Sequence, residues 1–540
     1  MRDGAKSAST YPYVILLLVV LAVVAYVRIR LLPVPLERDE GEYAYMGQLL
    51  LKGIPPYASV YTMKLPGAGL MYALFMTIFG QTASGIHAGL LLVNVLNIFL
   101  VYLLTRRLLD NNAALIACAS YALLSLSQSV LGAFAHATHL VVFFSLAGLV
   151  LLLRSLECPR SPILFVSGLC FGLAFATKQH AAFLAIFGLV LLIRHGRLNP
   201  SVSPTALTRS CLLFLAGLVL PFVLIVFWLS QVGALEKFWF WTVTYASTYA
   251  AGVPLDTAIY NLMTALVKFM VQLPLWLMAI AGFVFLVSKR GNRNLRPFVI
   301  GLVISSILAV CPGLHFREHY FVMTLPAVSI LIGYALTSVP HVMPPDLQGR
   351  LVPYGPAILF FLAIAYGLFS ERSHFFILSP EEVSRATYGV NPFPEAPVIA
   401  HYLREHTSPE DRIAVLGSEP EICFYAGRMS ATGHIYMYGL MENHRNAEAM
   451  QQAMVREIEA VRPRYIVAVN VDYSWLVRPD SQRAVIEWGG QYIREFYERT
   501  GITEISDTGG ASRYYWGAQA TGYTPVSESF ITVYRRRFGM

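Results

Sequence analysis

The sequence predicts a mainly α, polytopic membrane protein of about eleven transmembrane helices, closed by a C-terminal extracytoplasmic α/β domain. Three observations predict it. The 540 residues are 56% hydrophobic and only 13% charged, about half the roughly 25% charged share of a soluble domain. The apolar residues gather into runs close to the roughly 20 residues that cross a bilayer. The charge is also unevenly divided: residues 1–370 hold 23 Lys+Arg against 11 Asp+Glu, a net of +12, whereas residues 371–540 hold 17 against 21, a net of −4. This composition excludes disorder, coiled coil, collagen and a disulfide scaffold. The overall +8 is no nucleic-acid signal, because the basic excess belongs to the membrane half, where loop charge sets orientation.

Spans are expected at 12–32, 84–105, 112–131, 137–153, 161–177, 180–193, 208–231, 263–287, 297–314, 319–337 and 351–370. The first run has no small-residue cleavage site after it and reads as an uncleaved span. Pro66–Gly80 is too short to cross and reads as an interfacial or re-entrant helix. With a cytoplasmic N-terminus, the inner loops carry twelve positive residues, among them Arg106, Arg107, Arg160, Arg194, Lys289 and Arg350. The outer connections after the second span carry only Lys178, Lys237 and Arg317, the positive-inside pattern. The expected division is a membrane module over 1–370, with its first outer loop at 33–83, and a soluble domain over 371–540.

In that soluble domain Ile413–Leu416, Tyr465–Val469 and Ile531–Tyr534 read as strands and Glu448–Val461 as a helix, the alternation of a small α/β fold. Its glycine pairs, Gly489-Gly490 and Gly509-Gly510, read as turns rather than a nucleotide fingerprint. The six cysteines show no metal or disulfide spacing.

The most informative segment is Glu37-Arg38-Asp39-Glu40-Gly41-Glu42-Tyr43, which holds four of the eleven acids of residues 1–370. Carboxylates at a membrane surface are costly unless solvated, paired or used. The cluster is therefore either a solvated loop capping the helix that follows, or a source of a general base. Lys64, at the start of the short apolar helix, and Lys178, between two spans, either snorkel or bind an anionic headgroup. Arg317 and His319 lie between two further spans, and His136 and His139 open another. The His136/His139 spacing suits a divalent metal ion, but two ligands are too few to define a site. Phe238-Trp239-Phe240-Trp241 with Tyr245 is either an interfacial aromatic belt or a wall for sugar or lipid. Under one topology the acids, the three cations and the aromatic segment all face the outer leaflet, which points to chemistry on a lipid-linked phosphate.

Asp39-Glu40 after the first span, Lys52-Gly53, Lys64-Leu65-Pro66-Gly67, Phe79-Gly80, Arg106-Arg107, Lys178-Gln179 and His319-Tyr320 together resemble the membrane GT-C glycosyltransferases. Bacterial protein O-mannosyltransferases and the aminoarabinose transferases of lipid A are the most similar members. The resemblance covers residues 12–340. It implies a polyprenyl-phosphate sugar as donor, transferred with inversion to a hydroxyl of a protein, lipid or glycan outside the cytoplasmic membrane. It implies Asp39 as general base with Glu40 in support, and Lys64, Lys178, Arg317 and His319 on the donor phosphate. Glu42, Tyr43, Trp239 and Tyr245 are candidate acceptor or lipid contacts. Leu65 stands where many members have proline, and His136–His139 stand where many carry an acid linked with a metal.

The competing reading is a transporter or flippase of an anionic lipid or solute. Such a protein places ionisable groups and broken helices near mid-membrane, whereas here the spans are poor in charge and the polar residues gather on one face.

Overall fold

A computed structural model describes residues 10–157, 161–342, 355–506 and 510–537. Arg160, Arg350, Gly509 and the first residues of the span expected at 351–370 lie outside the described residues. The chain forms two compact units, each assembled from separated segments. The first comprises Met1–Leu31, His87–Val226 and Tyr249–Ile377; the second comprises Leu32–Ile86, Phe227–Thr248 and Leu378–Met540. Residues 378–540 thus share a unit with the whole of residues 33–83 and with the aromatic segment.

The chain begins with α1 (Tyr11–Arg30), α2 (Arg38–Leu51), α3 (Pro66–Phe79), α4 (Ala83–Leu108), α5 (Asn111–Leu124), α6 (Ala137–Glu157), α7 (Ser161–Thr177), α8 (Ala182–Leu198) and α9 (Pro204–Gln231). Further apolar helices cover Leu273–Val287, Arg296–Val310, Leu325–Val342 and Gly355–Ser370. Among the described residues, every stretch read as a span overlaps helical structure. Among the described residues, seven helical stretches are long and apolar enough to cross a membrane, and five shorter apolar helices accompany them. The protein is a multi-pass membrane protein.

In the first unit, small residues set the helix contacts. Apolar burial gives little drive between helices in lipid, so close backbone approach and hydrogen bonds hold them instead. Ser167 Oγ on α7 donates to the Gly148 carbonyl on α6 at 2.8 Å. A side chain on Gly168 of α7 would strike the Phe214 carbonyl of α9, and one on Gly217 would strike the Phe165 carbonyl in return. Two buried charges pin the turn that leads into α6. Arg28 donates to the Ser125 and Gly132 carbonyls at 3.0 and 3.1 Å. Glu371 accepts from Ser127 Oγ and the Gln128 N–H, both at 2.6 Å, and from Gln272 Nε2 at 2.7 Å.

The second unit is built on a six-stranded mixed sheet of β1 (Arg412–Leu416), β2 (Met429–Ser430), β3 (Tyr465–Asn470), β4 (Tyr497–Glu504), β5 (Arg513–Trp516) and β6 (Phe530–Arg536). Their order is β2-β1-β3-β6-β4-β5. β1 runs parallel to β2 and β3, and the remaining pairs are antiparallel. The three strands and the helix expected from sequence fall on β1, β3, β6 and Ala447–Val461. One expectation is corrected. Gly489-Gly490 is no turn but lies inside the helix Ala484–Phe496. The helix buries Val485, Gly489 and Tyr492 on one face, and that packing outweighs the roughly 1 kcal/mol per glycine of lost helix propensity.

Candidate active site

Asp39 stands in the first turn of α2, and the local sequence explains why the helix begins there. Glu37 is the N-cap: its carboxylate accepts from the Glu40 N–H at 2.8 Å, while the Glu40 carboxylate accepts from the Glu37 N–H at 3.1 Å. This reciprocal pair satisfies two otherwise orphaned donors. The acids are not a solvated loop. Glu37, Glu40 and Glu42 are buried, and only Asp39 is half-buried. Burial, then the neighbouring Asp39 and Glu40 charges, push the Glu37 carboxyl well above the usual carboxylate range.

Lys64 answers the acids. Its ammonium lies 2.7 Å from Asp39 Oδ1 and 2.5 Å from Glu42 Oε2. It also sits over the Tyr43 ring, 4.5 Å from the centroid, and 5.7 Å from that of Tyr436. Burial opposes its charge, but the Asp39 and Glu42 carboxylates outweigh burial and hold the ammonium well above its usual pKa. The backbone fixes the lysine as well. Tyr57 Oη donates to the Lys64 carbonyl at 2.7 Å, and Pro66 starts α3 two residues on. Four residues singled out from sequence, Asp39, Glu42, Tyr43 and Lys64, thus form one cluster in the second unit, with Glu40 holding the helix end beneath it.

The aromatic segment belongs to the same unit but divides in two. Trp239 is 56% exposed. Tyr245 is buried and donates to Glu442 Oε2 at 2.9 Å. Beside it Trp241 stacks on Tyr61, with ring centroids 5.6 Å apart.

The remaining predicted residues lie in the first unit. Lys178 holds its ammonium over the Tyr320 ring, 4.2 Å from the centroid, and His319 meets the same ring edge-on at 4.8 Å. His136 stacks face to face on His319 at 4.0 Å. Arg317 is exposed beside them in sequence. His139 faces elsewhere: its Nδ1 is 3.5 Å from Asn94 Nδ2, and its carbonyl accepts from Asn97 Nδ2 at 3.1 Å. His136 and His139 have separate partners, and it is His136 and His319 that bring ring nitrogens within 4.8 Å of each other.

Sequence reasoning missed Arg38, Tyr320 and Tyr436 as site residues. Arg38 and Tyr320 stood inside quoted motifs, next to Asp39 and His319. Tyr436 is brought in by the fold of residues 378–540 alone, and nothing local marks it.

The architecture is the GT-C fold. The sequence profile of dolichyl-phosphate-mannose-protein mannosyltransferases matches residues 64–228. Among curated proteins, the lipopolysaccharide core galacturonosyltransferase RgtB of Rhizobium johnstonii is 29% identical over 172 residues, 31% of this chain and 33% of the relative. The match therefore spans about a third of that relative's length. Among solved structures, ArnT from Cupriavidus metallidurans bound to undecaprenyl phosphate superposes with a TM-score of 0.61 at 15% identity, covering 98% of both chains. The oligosaccharyltransferase AglB from Archaeoglobus fulgidus, in complex with an inhibitory peptide and a dolichol-phosphate, gives 0.51 at 15% identity, covering 96% of this chain and 75% of its own.

Proposed function

We propose that the protein is an integral-membrane glycosyltransferase that moves a sugar from a polyprenyl-phosphate donor to an acceptor hydroxyl, with inversion. The observation that carries this reading is the Asp39–Lys64 ion pair at 2.7 Å, a base candidate and a cation side by side on rigid elements. Asp39 takes the proton of the acceptor hydroxyl as its oxygen attacks the anomeric carbon. The bond from that carbon to the phosphate oxygen breaks, and the polyprenyl phosphate leaves with the electron pair. Lys64 stabilises the charge that grows on the departing phosphate, and fixed charges aimed at developing charge commonly lower a barrier more than any other single effect. Lys178, Arg317 and His319 are proposed to serve the donor phosphate as well, and Trp239 a lipid or acceptor. Glu42 and Tyr43 orient Lys64, and Glu40 supports Asp39 by capping its helix.

The galacturonosyltransferase and the oligosaccharyltransferase AglB support this reading as transferases, ArnT supports it by its bound undecaprenyl phosphate, and none supports the transporter alternative. The loop charges support reaction at the outer face of the cytoplasmic membrane, with the N-terminus inside. It is checked by labelling a cysteine introduced at position 450 with an impermeant reagent on intact cells; protection would overturn the orientation. The activity is tested with purified full-length protein and undecaprenyl phosphate carrying galacturonic acid, mannose or aminoarabinose. Asp39→Asn should abolish transfer while leaving membrane insertion unchanged. Turnover retained in that variant would remove Asp39 as the base.

A further inference from the structure

Arg38 precedes Asp39 on α2, and successive helical side chains diverge by about 100°. Asp39 turns to Lys64; Arg38 turns the other way, into the soluble segment of its own unit. The residue is 7% exposed, and its guanidinium makes four hydrogen bonds there. Nε donates to the Ser418 carbonyl at 2.6 Å and Nη1 to Tyr438 Oη at 2.7 Å. Nη2 donates to Asn391 Oδ1 at 2.9 Å and to Glu419 Oε1 at 3.0 Å. The rings of Phe393 and Tyr438 flank it, each centroid 5.4 Å away.

The acceptors are themselves fixed. Ser474 Oγ donates to the second Glu419 oxygen at 2.7 Å, and the Ser418 N–H donates to Ser474 Oγ at 2.9 Å. The Met437 N–H donates to Ser418 Oγ at 2.8 Å, and Tyr438 Oη donates to the Tyr473 carbonyl at 2.6 Å. The turn after β1 is therefore a rigid socket, tied to the segments 437–438 and 473–474. The N-cap pair orders α2 internally but does not set its rotation about its own axis. A planar fork of donors in a fixed socket does.

We propose that Arg38 is a positioning residue, through which the soluble α/β segment sets the rotation of the first turn of α2 and hence the place of Asp39. The inference rests on Asp39 as the base. A displacement near 1 Å at a reacting group costs on the order of 100-fold in rate, and the socket fixes the residue directly before Asp39 on the same helical turn.

The test uses full-length protein and two readouts. Amide hydrogen exchange of peptides over residues 38–44 reports the helix without any sugar donor. Exchange should quicken in Arg38→Lys and Glu419→Ala relative to wild type. Turnover of whichever undecaprenyl-phosphate sugar is active should fall about 100-fold in Arg38→Lys, while the Kd for undecaprenyl phosphate stays within about twofold. Glu419→Gln keeps an acceptor oxygen for Nη2 and should recover most of the turnover lost in Glu419→Ala. Wild-type exchange in Arg38→Lys, or a fall in undecaprenyl phosphate affinity that matches the fall in kcat, would overturn the proposal. If no donor is turned over by the wild type, Asp39 chemistry fails, and the exchange result still decides whether Arg38 fixes the helix.

Discussion

Gly41 lies so close to Glu421 that a Cβ on it would stand 2.8 Å from the Glu421 backbone nitrogen and 2.8 Å from its Cβ. The contact presses α2, within a turn of Asp39, against the helix Pro420–Ala426. In an open helix, Gly→Ala gains about 1 kcal/mol of propensity. Here the atom met is backbone, which cannot swing aside, and overpacking costs typically about 1–3 kcal/mol. Gly41→Ala should therefore lower the melting temperature of the purified protein and reduce turnover. A raised melting temperature would mean that the two helices do not touch as described.

Lys64 faces two carboxylates with side chains only 3% exposed at Glu42 and 23% at Asp39. Removing one member of a buried charge set leaves the others uncompensated, at a cost of up to about 3–5 kcal/mol. Lys64→Ala should destabilise the protein by about 2–3 kcal/mol, the lower figure reflecting the partial exposure of Asp39. Adding Glu42→Gln should recover part of that loss, because the more buried carboxylate no longer needs a partner. Denaturant or thermal unfolding of the two variants checks this. Equal stability of single and double variants would remove Glu42 from the pair.

The membrane half was legible because its signal is compositional: each apolar run is its own evidence of a helix. The acid motif and Lys64 were legible because charge is rare there. β4 was not, since Tyr-Glu-Arg-Thr-Gly-Ile-Thr-Glu offers little apolar alternation and shifts register between Arg499 and Gly501. The glycine admits the Trp516 ring, a contact between strands that no local pattern announces. Arg38 looked like one more charge in a polar motif. Its role depends on Ser418 and Glu419, 380 and 381 residues away, and only the folded chain brings them together. The same holds for Tyr61, which the fold places against Trp241.

His434 gives the protein a specific acid sensitivity. The imidazole is buried and 4.9 Å edge-on from Tyr61, with Trp241 at 5.8 Å. Burial lowers its pKa to about 4, with Lys237 acting in the same direction and Glu457 opposing. The folded state thus holds His434 neutral, while the unfolded chain takes up a proton near its ordinary value of about 6.5. Between those values the unfolded state binds more protons, so stability rises with pH and is lost as pH falls from about 6.5 to about 4. A shift of that size corresponds to a loss of about 3 kcal/mol across the window. Glu457 extends the effect below that window. It accepts from Tyr61 Oη at 2.7 Å and Thr432 Oγ1 at 2.6 Å. Burial resists its charge, but these hydrogen bonds hold it below the usual carboxylate range. Its stabilisation is lost only as pH drops below that range. The melting temperature of wild type should therefore begin to fall below about pH 6.5, whereas that of His434→Gln, already destabilised at neutral pH, should fall less steeply until Glu457 titrates. Parallel pH profiles for the two proteins would show that His434 is not held neutral by its surroundings.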